Sequence, residues 1–427
     1  MIADLHIHSR YSRATSERMC VEEIARFAKL KGLNIVGTGD FTHPKWFEEL
    51  NQNLIPEPET SLYKLTNNAE SPVRFMMTTE VSTVFMRKNE TKKVHHVILT
   101  PTMHTAAQVN DRLSKHGNLQ TDGRPTLNVD PATLVEEVME VSNDNTVFPA
   151  HAWTPWFSIF GAFSGFDSVE ECYEDMTKHV HALETGLSSD PPMNWRLSNL
   201  DRFTLVSNSD SHSFWPWRIG REANVFELEK PSYSGVTEAI RLKDKQHFKF
   251  TIETDPAYGK YHWTGHRNCH VALSAREAIK FANVCPVCRR QLTKGVEQRV
   301  EELADRPNGF QPDGTIGFMH LLPLSEIIAT VLKTDSPYTQ KVWNIYNPLV
   351  EKFGDEYTVL IDASKEELSE VAGGEVADAV VRVREGKAKV VPGYDGVYGQ
   401  LIFSNESQME QVVRRRVQQL NLTDFSL

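Results

Sequence analysis

No uninterrupted apolar run approaches the ~20 residues a bilayer-spanning helix needs, and the first residues lack a basic stretch followed by an apolar one. Neither a spanning helix nor a secretory signal is expected, and the chain reads as cytoplasmic. Cysteine is scarce: 5 in 427 residues, an odd number, three of them late in the chain. That fits metal-binding thiols in a reducing compartment better than a disulfide framework. Cys20 and Cys172, far from the other three, read as buried free thiols. Basic residues are outnumbered, 46 Lys and Arg against 57 Asp and Glu, for a net charge of -11. A generally basic, sequence-blind nucleic-acid coat is thereby excluded, whereas a local basic groove is not. A P-loop, a dinucleotide fingerprint, internal repeats and low-complexity tracts are all missing.

What is present is alternation of strand and helix patterns. Length alone suggests two or three domains at ~150 residues each, and 40% hydrophobic with 24% charged residues is ordinary globular composition. Residues 2–8 read as a strand, 21–31 as an amphipathic helix ended by Gly32, and 33–37 as the next strand. Further strands are expected at 75–79, 94–100, 146–149, 182–185 and 204–207, with helices near 131–141 and 169–178. This βαβ series implies an α/β parallel barrel or doubly wound sheet over residues 1–230. An irregular Pro- and Gly-punctuated module follows at 255–310. A mainly helical C-terminal domain is expected at 311–415, with helices at 324–332, 339–353, 364–371 and 375–385, and a tail at 416–427.

The opening Ala3-Asp4-Leu5-His6-Ile7-His8-Ser9 places an aspartate and two histidines at alternate positions, which share one face of a strand. Imidazole and carboxylate groups in such a comb are ligands for zinc, manganese or iron. The other expected strands end in groups of the same kind: Asp40, Glu80, the pair His95-His96, His151, Glu184, and Asp210 with His212. Functional side chains of a barrel gather at such strand ends. Later, His266-x-x-Cys269, a 15-residue spacer and Cys285-Pro-Val-Cys288 have the spacing of a structural zinc site, with His262 and His270 as alternative fourth ligands.

The series Asp4-Leu-His6-Ile-His8-Ser, Gly39-Asp40, Glu80, His-His before an apolar run, His151 and Asp210-Ser-His212 resembles the PHP (polymerase and histidinol phosphatase) superfamily over residues 2 to about 221. The resemblance implies a distorted (β/α)7 barrel that binds two or three divalent ions (Zn, Mn or Mg) and cuts phosphoester bonds. Many members read Thr-Asp-His at the second motif. Here it is Gly39-Asp40-Phe41 with His43 three positions on; Asp40 is favoured over His43, and His96, directly before Val97-Ile98-Leu99, over His95.

With the zinc module, the 295–307 segment, the helical region and the loop Pro392-Gly-Tyr394-Asp-Gly-Val-Tyr398-Gly, the chain resembles endonuclease Q over nearly its full length. That family implies nicking of DNA 5′ to deaminated bases (uracil, hypoxanthine) or abasic sites. The expected metal ligands are His6, His8, Asp40, Glu80, His96, His151, Asp210 and His212, with Glu184, Asp190 and Asp210 in catalytic roles. Trp153, Trp156, Arg218, Arg221, Tyr394 and Tyr398 are expected to meet the substrate. The tail Gln419–Leu427 has the Gln-x-x-Leu-x-x-Phe spacing of sliding-clamp peptides, although Ser426 replaces the usual second aromatic. Competing readings are a phosphatase for a small phosphomonoester and a non-catalytic DNA- or clamp-binding scaffold.

Overall fold

The computed structural model describes residues 1–334 and 336–402; the tail with its clamp-like peptide lies outside them. The helix Val21–Lys31 forms as the pattern predicts, with Gly32 capping it at φ 98°, while the strands expected at 2–8 and 33–37 are shorter, Ile2–Asp4 and Ile35–Gly37. The main sheet runs, edge to edge, through Gly317–His320, Phe248–Glu253, Ala223–Phe226, Ile2–Asp4, Ile35–Gly37, Arg74–Arg87, Leu62–Leu65 and Leu54–Glu57. Arg74–Arg87 then pairs antiparallel with Glu90–Thr100, which pairs with Thr146–Pro149. Isolated bridges Val147–Val180 and Ile7–Ser211 tie in the parallel pair Ala182–Glu184 and Thr204–Val206, closing the circuit. The result is the expected distorted α/β barrel, parallel in part and antiparallel elsewhere.

Two strands of the sheet come from beyond residue 230, the expected end of the barrel. The first, Phe248-Lys-Phe-Thr-Ile-Glu253, alternates apolar and polar side chains and buries Phe248 and Ile252 completely. The long Arg74–Arg87 and Glu90–Thr100 hairpin turns at Lys88 and Asn89, with φ of 50° and 67°, the left-handed pair a two-residue hairpin requires. Its residues 75–83 are buried without a break, so both faces are covered.

Among the described residues, five helices between Leu324 and Arg384 form the C-terminal part. It docks on the barrel through buried polar contacts. Lys31 donates to Glu356 at 2.7 Å and to the Pro216 carbonyl at 2.9 Å, while the Tyr346 hydroxyl donates to the other Glu356 oxygen at 2.7 Å. Arg221 grips Glu326 with two donors, at 2.8 and 2.9 Å. A Cβ on Gly32 would sit 2.6 Å from Asp355 Oδ1, so this glycine serves both the helix cap and the close approach. Tyr357 donates its hydroxyl to the Gly220 carbonyl, fully buried. Tyr357→Phe strands that acceptor and is expected to cost about 1–3 kcal/mol, read as an earlier urea midpoint with unchanged slope.

The module between these parts has a small core of its own, Val271, Leu273, Ala278, Cys285 and Leu292. Among the described residues no helix is long and apolar enough to cross a membrane.

Candidate active site

His6 and His8 converge with Glu80 and Asp210 so that one ligand atom of each lies within 4.8 Å of the others. A second group, Glu80, His95 and His151, meets the same criterion and shares Glu80 with the first. The Glu80 carboxylate faces both ways. One oxygen stands 2.8 Å from His95 Nδ1 and 3.2 Å from His151 Nε2. The other stands 3.1 Å from His8 Nε2, 3.4 Å from His6 Nε2 and 2.9 Å from Arg124. Burial works to raise the Glu80 pKa, but Arg124, His95 and His6 outweigh it, and the carboxyl sits well below the usual range.

The expected comb is incomplete. Regular strand ends at Asp4, so the alternation that would keep it on a face with His6 does not persist. Asp4 instead accepts from the Ser209 and Gly220 backbone N–H groups at 3.1 and 2.8 Å, and burial pushes its pKa up to about 6. It braces the segment that carries Asp210. His95, rather than the favoured His96, faces the site. Neighbours in a strand point to opposite faces, and His96 pairs with the Tyr173 hydroxyl at 2.8 Å and Thr83 at 2.9 Å behind the sheet. Burial brings its pKa down to about 3.

Asp40 and His43 both stand outside the two groups. Asp40, at φ 48°, holds His8 Nδ1 at 2.9 Å and accepts from Ser9 and Ser12, so it orients a ligand. His43 stacks on Tyr11 with ring centroids 4.5 Å apart. Glu184 plays the corresponding part for His6, whose Nδ1 lies 3.0 Å away, and also accepts from the His151 backbone N–H at 2.8 Å. His212 lies at the mouth, its ring centroid 4.3 Å from that of His8. The donor set is imidazole and carboxylate, and His6 Nε2 is buried without a hydrogen bond. Those are the properties of a divalent-ion site.

Beside the groups opens a cavity of about 190 Å³ walled by His151, Asp210, Arg218, Tyr258, Lys260 and Tyr398. It joins the ligand cluster to aromatic and basic side chains.

Residues 323–387 match the family model described as the MJ0043 C-terminal domain. The uncharacterized protein MJ0043 of Methanocaldococcus jannaschii is 32% identical over 281 residues, 62% of this chain but 34% of that protein, so the chain spans about a third of its length. YqxK of Bacillus subtilis, also uncharacterized, is 26% identical over 93% of this chain and 98% of its own. The solved structure of the lesion-specific endonuclease PfuEndoQ from Pyrococcus furiosus superposes with a TM-score of 0.84 at 33% identity, covering 96% of this chain and 98% of that one. The chain belongs to the endonuclease Q family. A second solved structure, an endonuclease Q complex with a 27-mer duplex carrying an abasic lesion at the active site, gives a TM-score of 0.83 at 34% identity over 95% of this chain and 98% of that chain.

The remaining positions expected of an endonuclease Q divide in two. Trp156 is 42% exposed, stacked on Phe163 at 5.0 Å and edge-on to Tyr261 at 5.5 Å, while Tyr398 is half exposed under Lys260. Arg218 is exposed at the cavity wall. Trp153, by contrast, is buried against Phe160 and donates to Asn194 at 2.8 Å, so it is core. Tyr394 is buried against Gly265 of the module, and Arg221, although at the cavity wall, is committed to Glu326. Asp190 caps the helix Pro191–Asn194, pairs with His320 at 3.2 Å and faces a separate cavity of about 430 Å³.

His266, Cys269, Cys285 and Cys288 bring their ligand atoms within 4.8 Å of one another, and His262 and His270 stay out of that group. Arg124, Tyr258 and Lys260 were not expected. Arg124 and Lys260 lie on loops and Tyr258 ends the short 3-10 helix Pro256–Tyr258, all outside any recognisable spacing, and only a glycine and a proline flanking Arg124 hint at a constrained position.

Proposed function

We propose that this chain is a metal-dependent DNA repair endonuclease that hydrolyses the phosphodiester 5′ to deaminated bases (uracil, hypoxanthine) or abasic sites. The single observation that carries the reading is a carboxylate, Glu80, shared by two ligand groups beside a cavity of about 190 Å³, in a chain similar to PfuEndoQ over 96% of its length.

His6, His8, Glu80 and Asp210 would hold one divalent ion, and Glu80, His95 and His151 another, with His212 at hand for a third. Bound there, zinc, manganese or magnesium would lower the pKa of a water and neutralise charge developing on the phosphate. Glu184 and Asp40 fix the tautomers and orientations of His6 and His8. Tyr258, Tyr398 and the Trp156–Phe163 stack offer ring faces to an extruded nucleotide, which leaves the duplex most cheaply where pairing is already weak. Lys260 and Arg218 supply backbone phosphate contacts. The His266, Cys269, Cys285 and Cys288 cluster would take one structural zinc, in keeping with the reducing cytoplasm its thiols require. The tail Gln419–Leu427 would engage a sliding clamp.

The test uses labelled duplexes containing uracil, hypoxanthine, an abasic site or normal bases, with magnesium or manganese. A single nick 5′ to the lesion is expected; phosphate release from histidinol phosphate alone, or no reaction at all, would overturn the reading. Trp156→Ala is expected to weaken lesion-duplex binding by about 5- to 100-fold, the loss of one stacking platform, while urea unfolding stays within error of the parent because the ring is exposed. Fluorescence anisotropy measures the first.

A further inference from the structure

Arg124 projects a cation into a cluster built to receive cations. Its guanidinium donates to Glu80 at 2.9 Å, the oxygen that also faces His6 and His8, and its side chain retains 26% of its exposure. Among the described residues its remaining guanidinium donors make no hydrogen bond. The backbone on either side is pinned. A Cβ on Gly123 would lie 2.3 Å from both Asp40 Oδ2 and Ser12 Oγ, so only glycine lets the loop pass there, and the Gly123 N–H donates to the Tyr11 carbonyl at 3.0 Å. On the other side the Pro125 carbonyl accepts from the Ser82 N–H at 2.9 Å, and Thr126 pairs with Ser82 in the strand that carries Glu80. The loop therefore delivers this side chain to the ligand cluster as a fixed part of the site.

A guanidinium beside metal ligands would repel the ions they hold. The Glu80 carboxylate already pairs with the guanidinium, and a further anion in the shared space would be cradled by the ions and the guanidinium together. We infer that Arg124 binds the scissile phosphate, its unused donors taking a non-bridging oxygen while the bond to Glu80 keeps the side chain aimed. Arginine suits the task because its planar fork can hold a carboxylate and a phosphate oxygen at once, which a lysine ammonium does less well. This rests on the nuclease reading above.

The experiment compares wild type, Arg124→Ala and Arg124→Lys, each loaded with manganese, by elemental analysis, calorimetric titration with inorganic phosphate, and nicking of a uracil duplex. Arg124→Ala is expected to keep its metal content, bind inorganic phosphate about tenfold or more weakly, and lose ~10²–10³-fold in kcat with KM little changed. Arg124→Lys is expected to fall between. Phosphate affinity unchanged in both variants, or metal lost in step with nicking, would overturn the inference, the latter because Arg124 would then only prop Glu80. If the alanine variant does not fold, the lysine variant and its phosphate titration decide. A wild-type protein that fails to nick would remove the nuclease reading, while the phosphate titrations would still answer for Arg124.

Discussion

Glu80→Gln is expected to reduce nicking by ~10³-fold or more and to lower the number of metal ions bound per chain, with the fold intact. The carboxylate offers one oxygen to each ligand group, 2.8 Å from His95 on one side and 3.1 Å from His8 on the other. An amide has one acceptor, so whichever way it turns, one group faces an N–H instead of a ligand atom. Charge stabilisation at a site of this kind is worth several kcal/mol, and each 1.36 kcal/mol is tenfold in rate. The substitution leaves Arg124 without its ion pair, but that side chain reaches solvent and the cost to folding is small. Elemental analysis beside kcat/KM measures both effects. Full metal content with nicking inside tenfold of wild type would end the assignment of Glu80 as a shared ligand.

Cys285→Ser is expected to release one zinc ion per chain and to unfold the module locally. Cys285 is fully buried in a cluster of only five core residues, too few to hold a separate unit together. Structural zinc contributes on the order of 10–16 kcal/mol in small zinc-finger peptides, and here the same attraction would replace a missing core. The consequence extends to the cavity. The Tyr261 carbonyl accepts from the Val296 N–H at 2.8 Å and the Trp263 N–H donates to the Gly393 carbonyl at 2.9 Å, so a loosened module disturbs the wall that carries Lys260 and Tyr398. Hydrogen exchange should show residues 264–293 losing protection while Arg74–Arg87 keeps it, and nicking of duplex substrate should fall. Unchanged protection in the zinc-free variant would mean that the module stands on its own packing.

Much of the site was legible because its residues follow strands whose pattern is plain. His6, His8, Glu80, His151 and Asp210 were expected together and lie together. Where expectation and structure part, the cause is a contact the local pattern does not carry. Choosing His95 over the favoured His96 required the register of a hairpin set by the turn at Lys88 and Asn89. Trp153 and Trp156 are three residues apart in one aromatic run, yet one is core and the other exposed because the loop folds back on Phe160 and Phe163. Arg221 looked like a phosphate ligand until Glu326, 105 residues on, took its donors.

By itself, the sequence determined the chemistry: imidazoles and carboxylates at the ends of successive strands, and four zinc-type ligands in two close pairs, because residue type and short spacing are local properties. Tertiary structure alone decided which histidine of a pair turns inward, which carboxylate is shared, that Asp4 and Asp40 serve as braces, and that Arg124 enters the cluster from 44 residues beyond Glu80. Those outcomes depend on backbone paths meeting across long stretches of chain, where burial and hydrogen-bond satisfaction are settled by neighbours that no local pattern names.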